Sequence, residues 1–460
     1  PGILFIRNSS RHDKVENCVI RSPQSTDQGK GSTQVYMYSK NEANRNSDYF
    51  TLKDCLIDGG LIGVNLGGTA YVSLPVQEGG HIAGNTFVRQ GSKAIYVSAE
   101  RDFVIENNTV ISEGGTTNSF WAIDINMSRG DCEVRNNTVT MRNPVSSAHG
   151  LYLRCNSEDS MKEGRHRYYN NEINISGINS AVTGMRFNNN LPNTEFAHNT
   201  VRLRGENANS NGIYFSGTLP GGLFANNIVQ NEAGGTVYNV NRQTYLDHIA
   251  MRDNICHTTG SDFAYVGGSL SFDEWKEAAA NDSGTVSEPT TFLSDNILEP
   301  ADEGSLKICI PVGFVDTDLN GTKRDNVHPT AGAYEYTLST IAPAMAEGFP
   351  RFKSVAHNSA VMETASTLTG TLHYCVLRTD EDAPDAEMIM NEDLHEELRK
   401  GRTASITLAG LRPNTEYAVY CLLTSLRGIN SEITRSVPFT TTYIPPTPAT
   451  FEEARTEDNR

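Results

Sequence analysis

The feature that most constrains the fold is an asparagine that recurs at intervals of 23 to 34 residues, each time before a short apolar run. Two clear copies read "FVIENNTVIS" and "CEVRNNTVTM". Seven copies are centred on Asn85, Asn108, Asn137, Asn171, Asn199, Asn227 and Asn254. These intervals are too long for a helix or a hairpin, so each copy marks one unit of a repeat architecture.

Each repeat also contains a second short run after a variable loop. These runs read "KAIYVS", "WAIDIN", "GLYLRC", "TGMRFN" and "NGIYFS". Alternation over four to six residues is strand patterning, and no repeat contains a segment long enough for a helix. A unit of short strands and turns cannot bury its apolar side alone, so residues 81 to 260 are predicted to stack as at least six coils of a β-solenoid.

The recurring asparagine is expected at a turn between two strands, in one inward column. Asparagine tolerates unusual backbone angles, and its side-chain amide can bond to equivalents above and below. Each bond stabilises by only about 1 kcal/mol, but a ladder also fixes the register of the coils. The alternative is that "NNT" marks glycan acceptors at Asn107 and Asn136. The recurrence of the element where this motif fails favours the turn.

Three stretches together resemble a known superfamily. They are the "NNTV" units, the insert "SFDEWKEAAAND" (271–282) and the closing stretch "GFVDTDLNGTKRDNVHPTAGAYEY" (313–336). They are similar to right-handed parallel β-helix proteins of the pectate-lyase-like superfamily. The resemblance implies a right-handed parallel β-helix over residues 1–340. It does not imply one reaction, because the superfamily includes lyases, hydrolases, epimerases and non-enzymatic proteins.

A second domain is expected after the Pro-, Ala- and Gly-rich linker "IAPAMAEGFP" (341–350). The stretch 404–441 resembles the last strands of a fibronectin type III domain, through the spacing of Leu411, Pro413, Thr415 and Tyr417. That resemblance implies a small β-sandwich over 344–442, with Tyr417 as its corner tyrosine. The early-strand Trp of that family is absent from 351–376. Residues 443–460 are expected to be a flexible tail or linker, and the whole chain all-β.

Charge and hydropathy argue against two classes of partner, nucleic acids and a membrane crossed by an apolar helix. The formal charge of -17 argues against a nucleic-acid partner. No apolar run reaches the roughly 20 residues that span a bilayer, so no transmembrane segment is predicted. The opening "PGILFIRNSS" suggests a processed or trimmed piece. The combination of a β-helix with a fibronectin-like module suggests a secreted or cell-surface bacterial protein, expected to be a monomer. Cys18 and Cys55 hold equivalent places in successive segments, either as a disulfide or, as favoured, as two reduced thiols.

The outer face of one sheet is the expected binding surface, because the ends of a solenoid are capped and its interior is packed. With Ile95, Ile123, Leu151, Met185 and Ile213 inward, the outward positions are Tyr96, Asp124, Tyr152, Arg186 and Tyr214. The next outward column is Ser98, Asn126, Arg154, Asn188 and Ser216. Tyrosine rings pack on sugar C–H surfaces, while Arg and Asn bind hydroxyl or carboxylate groups. Cross-strand stacking and ion pairs of Asp124 explain the same pattern without a ligand.

Two reactions on an acidic polysaccharide make different demands on this surface. An inverting glycosidase needs two carboxyl groups roughly 6.5 to 9.5 Å apart, and only Asp124 is present. β-Elimination from a uronate needs a base at C5 and positive charge at the carboxylate. Arg154 and Arg186 supply that charge, and Tyr152 or His149 is the candidate base.

No metal or cofactor is predicted. The histidines show no paired-ligand spacing. "DTDLNG" begins like a calcium loop, but Val327 occupies the twelfth position, where an acidic residue belongs. A terminal-coil turn is the favoured interpretation of Asp316, Asp318, Asn320 and Gly321.

The leading functional hypothesis is a polysaccharide-binding protein that cleaves an acidic polysaccharide by elimination, and the alternative is a non-catalytic adhesin or surface spacer.

Overall fold

A computed structural model of the chain describes residues 3–7, 9–26, 33–38, 47–67, 77–114, 119–154 and 164–443. The chain forms two compact units, Pro1–Thr337 and Leu338–Arg460.

The first unit is a parallel β-solenoid of about nine turns, as the asparagine repeat predicted. Successive coils add one strand to each of three sheets, named A, B and C, and neighbouring strands within a sheet are parallel. Along the chain each coil runs from sheet B through the asparagine turn to sheet C, and then through a variable loop to sheet A.

The strand bounds follow sheet by sheet. Sheet A contains Leu4–Arg7, Thr33–Tyr38, Ile62–Leu66, Lys93–Ser98, Phe120–Asn126, Ala148–Arg154, Val182–Asn188, Asn211–Ser216, Thr236–Val240 and Ala264–Val266, and ends with the antiparallel strand Ser269–Leu270. Sheet B contains Lys14–Glu16, Thr51–Lys53, His81–Ala83, Val104–Glu106, Cys132–Arg135, His166–Tyr169, Thr194–Ala197, Gly222–Ala225, Ile249–Arg252 and Asp282–Ser283. Sheet C contains Val19–Gln24, Leu56–Gly60, Thr86–Val88, Thr109–Ser112, Thr138–Arg142, Glu172–Ile178, Thr200–Gly205, Ile228–Glu232, Ile255–Thr258 and Val286–Ser287. Short strands Gln77–Glu78 and Glu100–Arg101 pair separately.

The asparagine column is confirmed. All seven repeat asparagines are buried, and each side-chain amide from Asn85 to Asn227 donates to the Oδ1 atom of the next asparagine at 3.0 Å. The unusual backbone angle belongs to the residue before each of them: Asn107 and Asn136, for example, have φ near +55°. The "NN" pair therefore divides two tasks, since its first residue turns the chain and its second bonds to the neighbouring coil.

The solenoid core is apolar and ends under a short helix. Rings stack along the core from Phe187 and Phe215 to Tyr238, whose ring centroid lies 4.5 Å from that of Trp275. Trp275 is fully buried and belongs to the helix Phe272–Ala278. Ser271 and Glu274 form a capping box that fixes the start of this helix. The helix covers the last coil and closes this end of the core.

The final stretch of the first unit packs along the turns between sheets B and C. A short 3₁₀ turn, Glu303–Ser305, interrupts this stretch, and another, Gln243–His248, joins the sheet A strand Thr236–Val240 to the sheet B strand Ile249–Arg252. The Tyr334 hydroxyl donates to buried Glu172 at 2.5 Å, and Arg324 donates to the Asn170 side chain at 2.8 Å.

The structure describes two features singled out in the sequence, the Cys18 and Cys55 pair and the stretch "DTDLNG". Cys18 and Cys55 are both free thiols, and the Cys18 amide lies 3.4 Å from the Cys55 sulfur. Both carboxylate oxygens of Asp318 accept backbone amides, from Thr322 at 2.7 Å and from Glu335 at 2.9 Å. Because these bonds use the carboxylate to fix the turn, "DTDLNG" has a structural role at this position.

The second unit contains two antiparallel sheets. One holds Arg351–Val355, Ser359–Thr364 and Ala404–Ala409, and the other holds Gly370–Arg378, His395–Leu398, Glu416–Ser425, Thr434–Arg435 and Phe439–Thr440. A short helix, Ala386–Asn391, lies between strands of the second sheet in the sequence. The Tyr417 hydroxyl accepts the Arg412 amide at 2.9 Å.

Candidate functional site

The outer surface of sheet A, called the A face below, brings the proposed binding residues into rows that run from coil to coil. The first row is Tyr96, Asp124, Tyr152, Arg186 and Tyr214, each paired in register with the next. The second row is Ser98, Asn126, Arg154, Asn188 and Ser216. The apolar residues expected inward are at most 2% exposed.

A third row of residues also faces outward, although strict strand alternation does not predict it. It consists of Lys93, Trp121, His149, Thr183 and Asn211. After each of these residues comes Ala or Gly, and then the inward apolar residue, and both are buried. Two consecutive inward residues displace the residue before them onto the A face. The recurring small residue before the apolar one is the sequence signal for this displacement.

Asp124 is the centre of a buried ion cluster. Its side chain is fully buried, and its Oδ2 atom accepts from Lys93 Nζ at 2.5 Å and from Arg154 Nη2 at 3.0 Å. Lys93 Nζ also lies 3.9 Å from the centroid of the Tyr96 ring. Arg154 is therefore held by a carboxylate of the protein itself, and the cluster of one acid and two bases retains one positive charge.

Arg186 has a different environment. Its guanidinium carbon lies 5.4 Å from the centroid of the Tyr152 ring and 4.8 Å from that of Tyr214. Its Nε atom donates to Asn188 Oδ1 at 3.2 Å. Among the residues that the structure describes, no carboxylate lies within ion-pair distance of Arg186. The guanidinium therefore lies between two aromatic rings, without an acidic partner in the described part of the chain.

Hydrogen bonds hold the side chains around Arg186 in place. Asn188 Nδ2 donates to the Tyr152 hydroxyl at 2.7 Å, and the Ser216 hydroxyl donates to Asn188 Oδ1 at 2.7 Å. Asn188 therefore connects Arg186, Tyr152 and Ser216 across three coils. These bonds fix the orientation of the Tyr152 ring before any ligand arrives.

His149 is a poor general base in this position. It is 6% exposed, and its ring centroid lies 5.4 Å from that of Tyr152. Burial, with a smaller contribution from the Arg186 cation, lowers the pKa of His149 to about 3. The imidazole is therefore neutral at physiological pH and binds a proton weakly.

Several buried polar atoms of the A face have no hydrogen-bond partner within the described ranges. They are Trp121 Nε1, Asp124 Oδ1, Asn126 Oδ1, His149 Nδ1 and Arg154 Nε. Buried polar atoms are usually paired, with protein or with water. These atoms are also shielded from solvent, so they are not exposed bonding positions on the A face.

The described part of the chain contains no group of three or more His, Cys, Asp or Glu residues that could hold a metal ion. It also contains no helix that is long and apolar enough to cross a membrane.

Comparison with known proteins places the chain in no established group. No protein family matches the sequence, and no curated protein matches it. Among solved structures, the chain is similar to the tailspike gp42 of Acinetobacter phage vb_AbaP_AS12, with 10% identity over 95% of this chain and 79% of the tailspike. The TM-score is 0.16.

Proposed function

We propose that this protein binds an acidic polysaccharide across the A face, and that Arg186 receives a carboxylate of the sugar. The observation that carries the proposal is the Arg186 guanidinium, which lies between Tyr152 and Tyr214 and has no carboxylate partner among the described residues. A guanidinium binds a carboxylate through two parallel hydrogen bonds, and such bonds are stronger than those between neutral groups. In a chain of net charge -17, a cation on a binding surface without a described acidic partner favours an anionic ligand there.

The remaining surface suits a sugar polymer in particular. Tyr96, Trp121, Tyr152 and Tyr214 are partly exposed and present ring surfaces along successive coils. Aromatic side chains combine large apolar area with polar edges, so they can pack against the C–H surfaces of sugar rings.

The setting that fits this function is a secreted or cell-surface protein acting as a monomer. In this proposal residues 344–442 form a fibronectin type III-like sandwich. The two antiparallel sheets and the Tyr417 contact support that assignment. Residues 344–442 expressed alone should fold cooperatively, since a sandwich of about 100 residues has its own core. A fragment without amide proton dispersion in NMR would contradict it.

Cleavage by β-elimination is the reaction that the A face would support best. A base removes the C5 proton of a uronate, the electrons of that C–H bond form the C4–C5 double bond, and the C4–O bond breaks as the oxygen of the leaving sugar takes a proton from water. Tyr152 is the favoured base, because Arg154 and Arg186 lie 5.3 and 5.4 Å from its ring centroid, whereas His149 is buried with a lowered pKa. Arg186 would stabilise the charge on the carboxylate, since Arg154 already binds Asp124.

A non-catalytic adhesin or spacer remains the second candidate. The observation that favours it is that much of the A face is bonded to itself. Asp124 binds Lys93 and Arg154, and Asn188 binds Tyr152. Such cross-strand contacts stabilise a sheet without any ligand.

Binding is tested by affinity electrophoresis in gels that contain pectin, alginate, a glycosaminoglycan or a neutral glycan. The wild-type protein should be retarded by at least one acidic polymer, and less so as salt is added. Arg186→Ala should abolish the retardation, and Arg186→Lys should restore part of it because an ammonium lacks the planar fork. Arg142→Ala removes one positive charge from sheet C and should leave retardation unchanged. Equal retardation of wild type and Arg186→Ala would refute the proposed site.

Elimination is tested separately on the polymers that bind. Cleavage would generate an unsaturated uronate that absorbs in the near ultraviolet. Arg186→Ala should then lower turnover by about 10²- to 10³-fold, the usual cost of losing one donor to a developing charge. Retardation without any rise in absorbance, with or without calcium, would exclude the lyase and favour the adhesin.

A further inference from the structure

The first row of the A face alternates in chemical type from coil to coil. The parallel register continues this row beyond the five residues named above, through Asn65 and Tyr36 on one side and Asn239 and Tyr265 on the other. Over these nine coils every second residue of the row is a tyrosine: Tyr36, Tyr96, Tyr152, Tyr214 and Tyr265. The residues between them are polar or charged: Asn65, Asp124, Arg186 and Asn239. All nine except Asp124 are at least partly exposed. On the strand before Tyr36 the row continues with Phe5, which ends the alternation.

Positive charge on the A face follows the same alternation. Lys93 and Arg154 belong to the coils on either side of Asp124, and both bind its carboxylate. Their side chains are 16% and 28% exposed, so the excess positive charge of this cluster is accessible at the Asp124 coil. The Arg186 guanidinium lies two coils further on, between two tyrosine rings. Two cationic coils therefore alternate with tyrosine coils.

Two of the tyrosine rings are also held in the same way. The Tyr152 hydroxyl bonds to the Asn188 side chain, and the Tyr214 hydroxyl bonds to the Asn241 side chain, each at 2.7 Å. Each of these amides lies two residues after the first-row residue of the coil that follows the tyrosine. The A face therefore repeats its side-chain geometry, as well as its residue types, with a period of two coils.

A period of two coils corresponds to the length of one disaccharide. Neighbouring strands of a sheet lie about 4.7 to 4.9 Å apart, close to the roughly 5 Å that one sugar covers in an extended pyranose chain. A chain that runs along the solenoid axis therefore places one sugar on each coil. A sugar over a tyrosine packs its C–H surface against the ring, and a sugar on the next coil can direct a carboxylate at a cation.

We propose that the A face binds an extended polysaccharide along the solenoid axis, with a carboxylate directed at the surface from every second sugar. This proposal rests on the proposed function and narrows its ligand. A carboxylate on every coil is disfavoured because the face of a tyrosine ring is electrically negative. The polymer either alternates a uronate with a neutral sugar, or consists of uronates only and turns every second carboxylate away from the protein.

The test is isothermal titration calorimetry of the full chain with oligosaccharides of four and ten sugars. Those from hyaluronan, unsulfated chondroitin and heparosan alternate a uronate with a neutral sugar, and those from polymannuronate contain uronates only. We expect the Kd for ten sugars to be at least tenfold lower than for four, because the longer chain contacts more tyrosine coils. Tight binding of the alternating oligosaccharides alone would assign the first kind of polymer, and tight binding of the oligomannuronates the second.

Tyr265→Ala tests the direction of the chain. Tyr265 is 44% exposed and lies three coils from Arg186, beyond the reach of four sugars that occupy the cationic coils. The substitution should weaken binding of ten sugars about 3- to 10-fold, as expected for one lost aromatic contact, and leave binding of four sugars unchanged. Tyr443→Ala is the matched control, because Tyr443 is 64% exposed in the second unit, and it should change neither.

Lys93→Met tests the spacing of the carboxylates. It removes the excess charge at the Asp124 coil, leaves Asp124 paired with Arg154, and keeps an aliphatic side chain beside the Tyr96 ring. Binding of both lengths should weaken about tenfold, as expected for one lost charge-assisted bond. Lys53→Ala removes the same charge from sheet B and should change neither.

The outcomes separate this proposal from the proposed function. Equal affinity for four and ten sugars, or no effect of Tyr265→Ala on ten, would contradict an axial chain. If Arg186→Ala still abolished that binding, the carboxylate site would stand without it. Unchanged affinity in Lys93→Met would contradict the spacing of two coils. Retardation by pectin with no heat from any of these oligosaccharides would contradict the disaccharide repeat, and no retardation by any acidic polymer would remove both proposals.

Discussion

The asparagine ladder should be a major source of stability in the middle of the solenoid, and Asn171→Ala tests this. The Asn171 amide donates to Asn199 Oδ1 at 3.0 Å and to the Val134 carbonyl at 2.9 Å. Its Oδ1 atom accepts from the backbone and side-chain amides of Asn137, at 3.2 and 3.0 Å. The substitution removes all four bonds.

The expected loss in the free energy of unfolding follows from the buried polar groups that lose their partners. The Asn137 side chain still donates to the Ile105 carbonyl, but the Asn137 backbone N–H and the Val134 carbonyl lose these partners in a buried region. Each unsatisfied buried group costs about 1 to 3 kcal/mol, so we expect Asn171→Ala to lower the free energy of unfolding by about 3 to 5 kcal/mol.

The assay is urea unfolding followed by tryptophan fluorescence. The chain has two tryptophans, Trp121 and Trp275, and both belong to the solenoid, so the signal reports that unit. The matched control is Asn107→Gly, which changes an exposed asparagine at a positive φ that glycine adopts freely, and should change stability by less than about 0.5 kcal/mol. A loss below about 1 kcal/mol for Asn171→Ala would refute the ladder as a source of stability.

Three further predictions use the same assay. Gly184→Ala would place a Cβ 2.3 Å from Val201 and should cost about 1 to 3 kcal/mol, whereas Gly268→Ala, with open space around it, should be neutral; equal effects would contradict the packing. Trp275→Ala should cost about 3 to 5 kcal/mol, and a loss below about 1 would show that the helix does not cap the core. Burial raises the pKa of Glu100 from 4.5 to about 8, so its protonated form stabilises the fold below about pH 4.5 and that contribution is lost as pH rises to about 8. Glu100→Gln should flatten this decline, and an unchanged slope would contradict the shift.

The solenoid could be predicted from the sequence because its repeat is marked by asparagines, which have few possible hydrogen-bond partners when they are buried. Buried asparagines at a fixed place in each repeat can be satisfied only by one another or by the backbone of adjacent coils. The sequence did not show which residue of each "NN" pair does which task. That depends on backbone angles, and asparagine suits both the turn at Asn136 and the ladder at Asn137.

The A face could be predicted only in part. The rows through Tyr96 and Ser98 follow from period-two alternation, but the row through Lys93 and Trp121 does not, because two consecutive inward residues interrupt the alternation. The sequence also could not predict which arginine pairs with Asp124. Asp124 forms an ion pair with Arg154 and not with Arg186, and this depends on side-chain distances that cannot be calculated from the spacing along the chain.

The central claim is that a sugar carboxylate is recognised on the A face, and one comparison tests it most directly. The acidic polysaccharide that retards the wild-type protein is carboxyl-reduced, so that its length and linkages stay the same while its uronates become neutral sugars. Wild-type protein should bind the native polymer, and its Kd for the reduced polymer should rise at least tenfold, toward that of Arg186→Ala for the native one, because charge-assisted bonds contribute about 1.5 to 3 kcal/mol. Equal affinity of wild-type protein for the native and the reduced polymer would contradict the account.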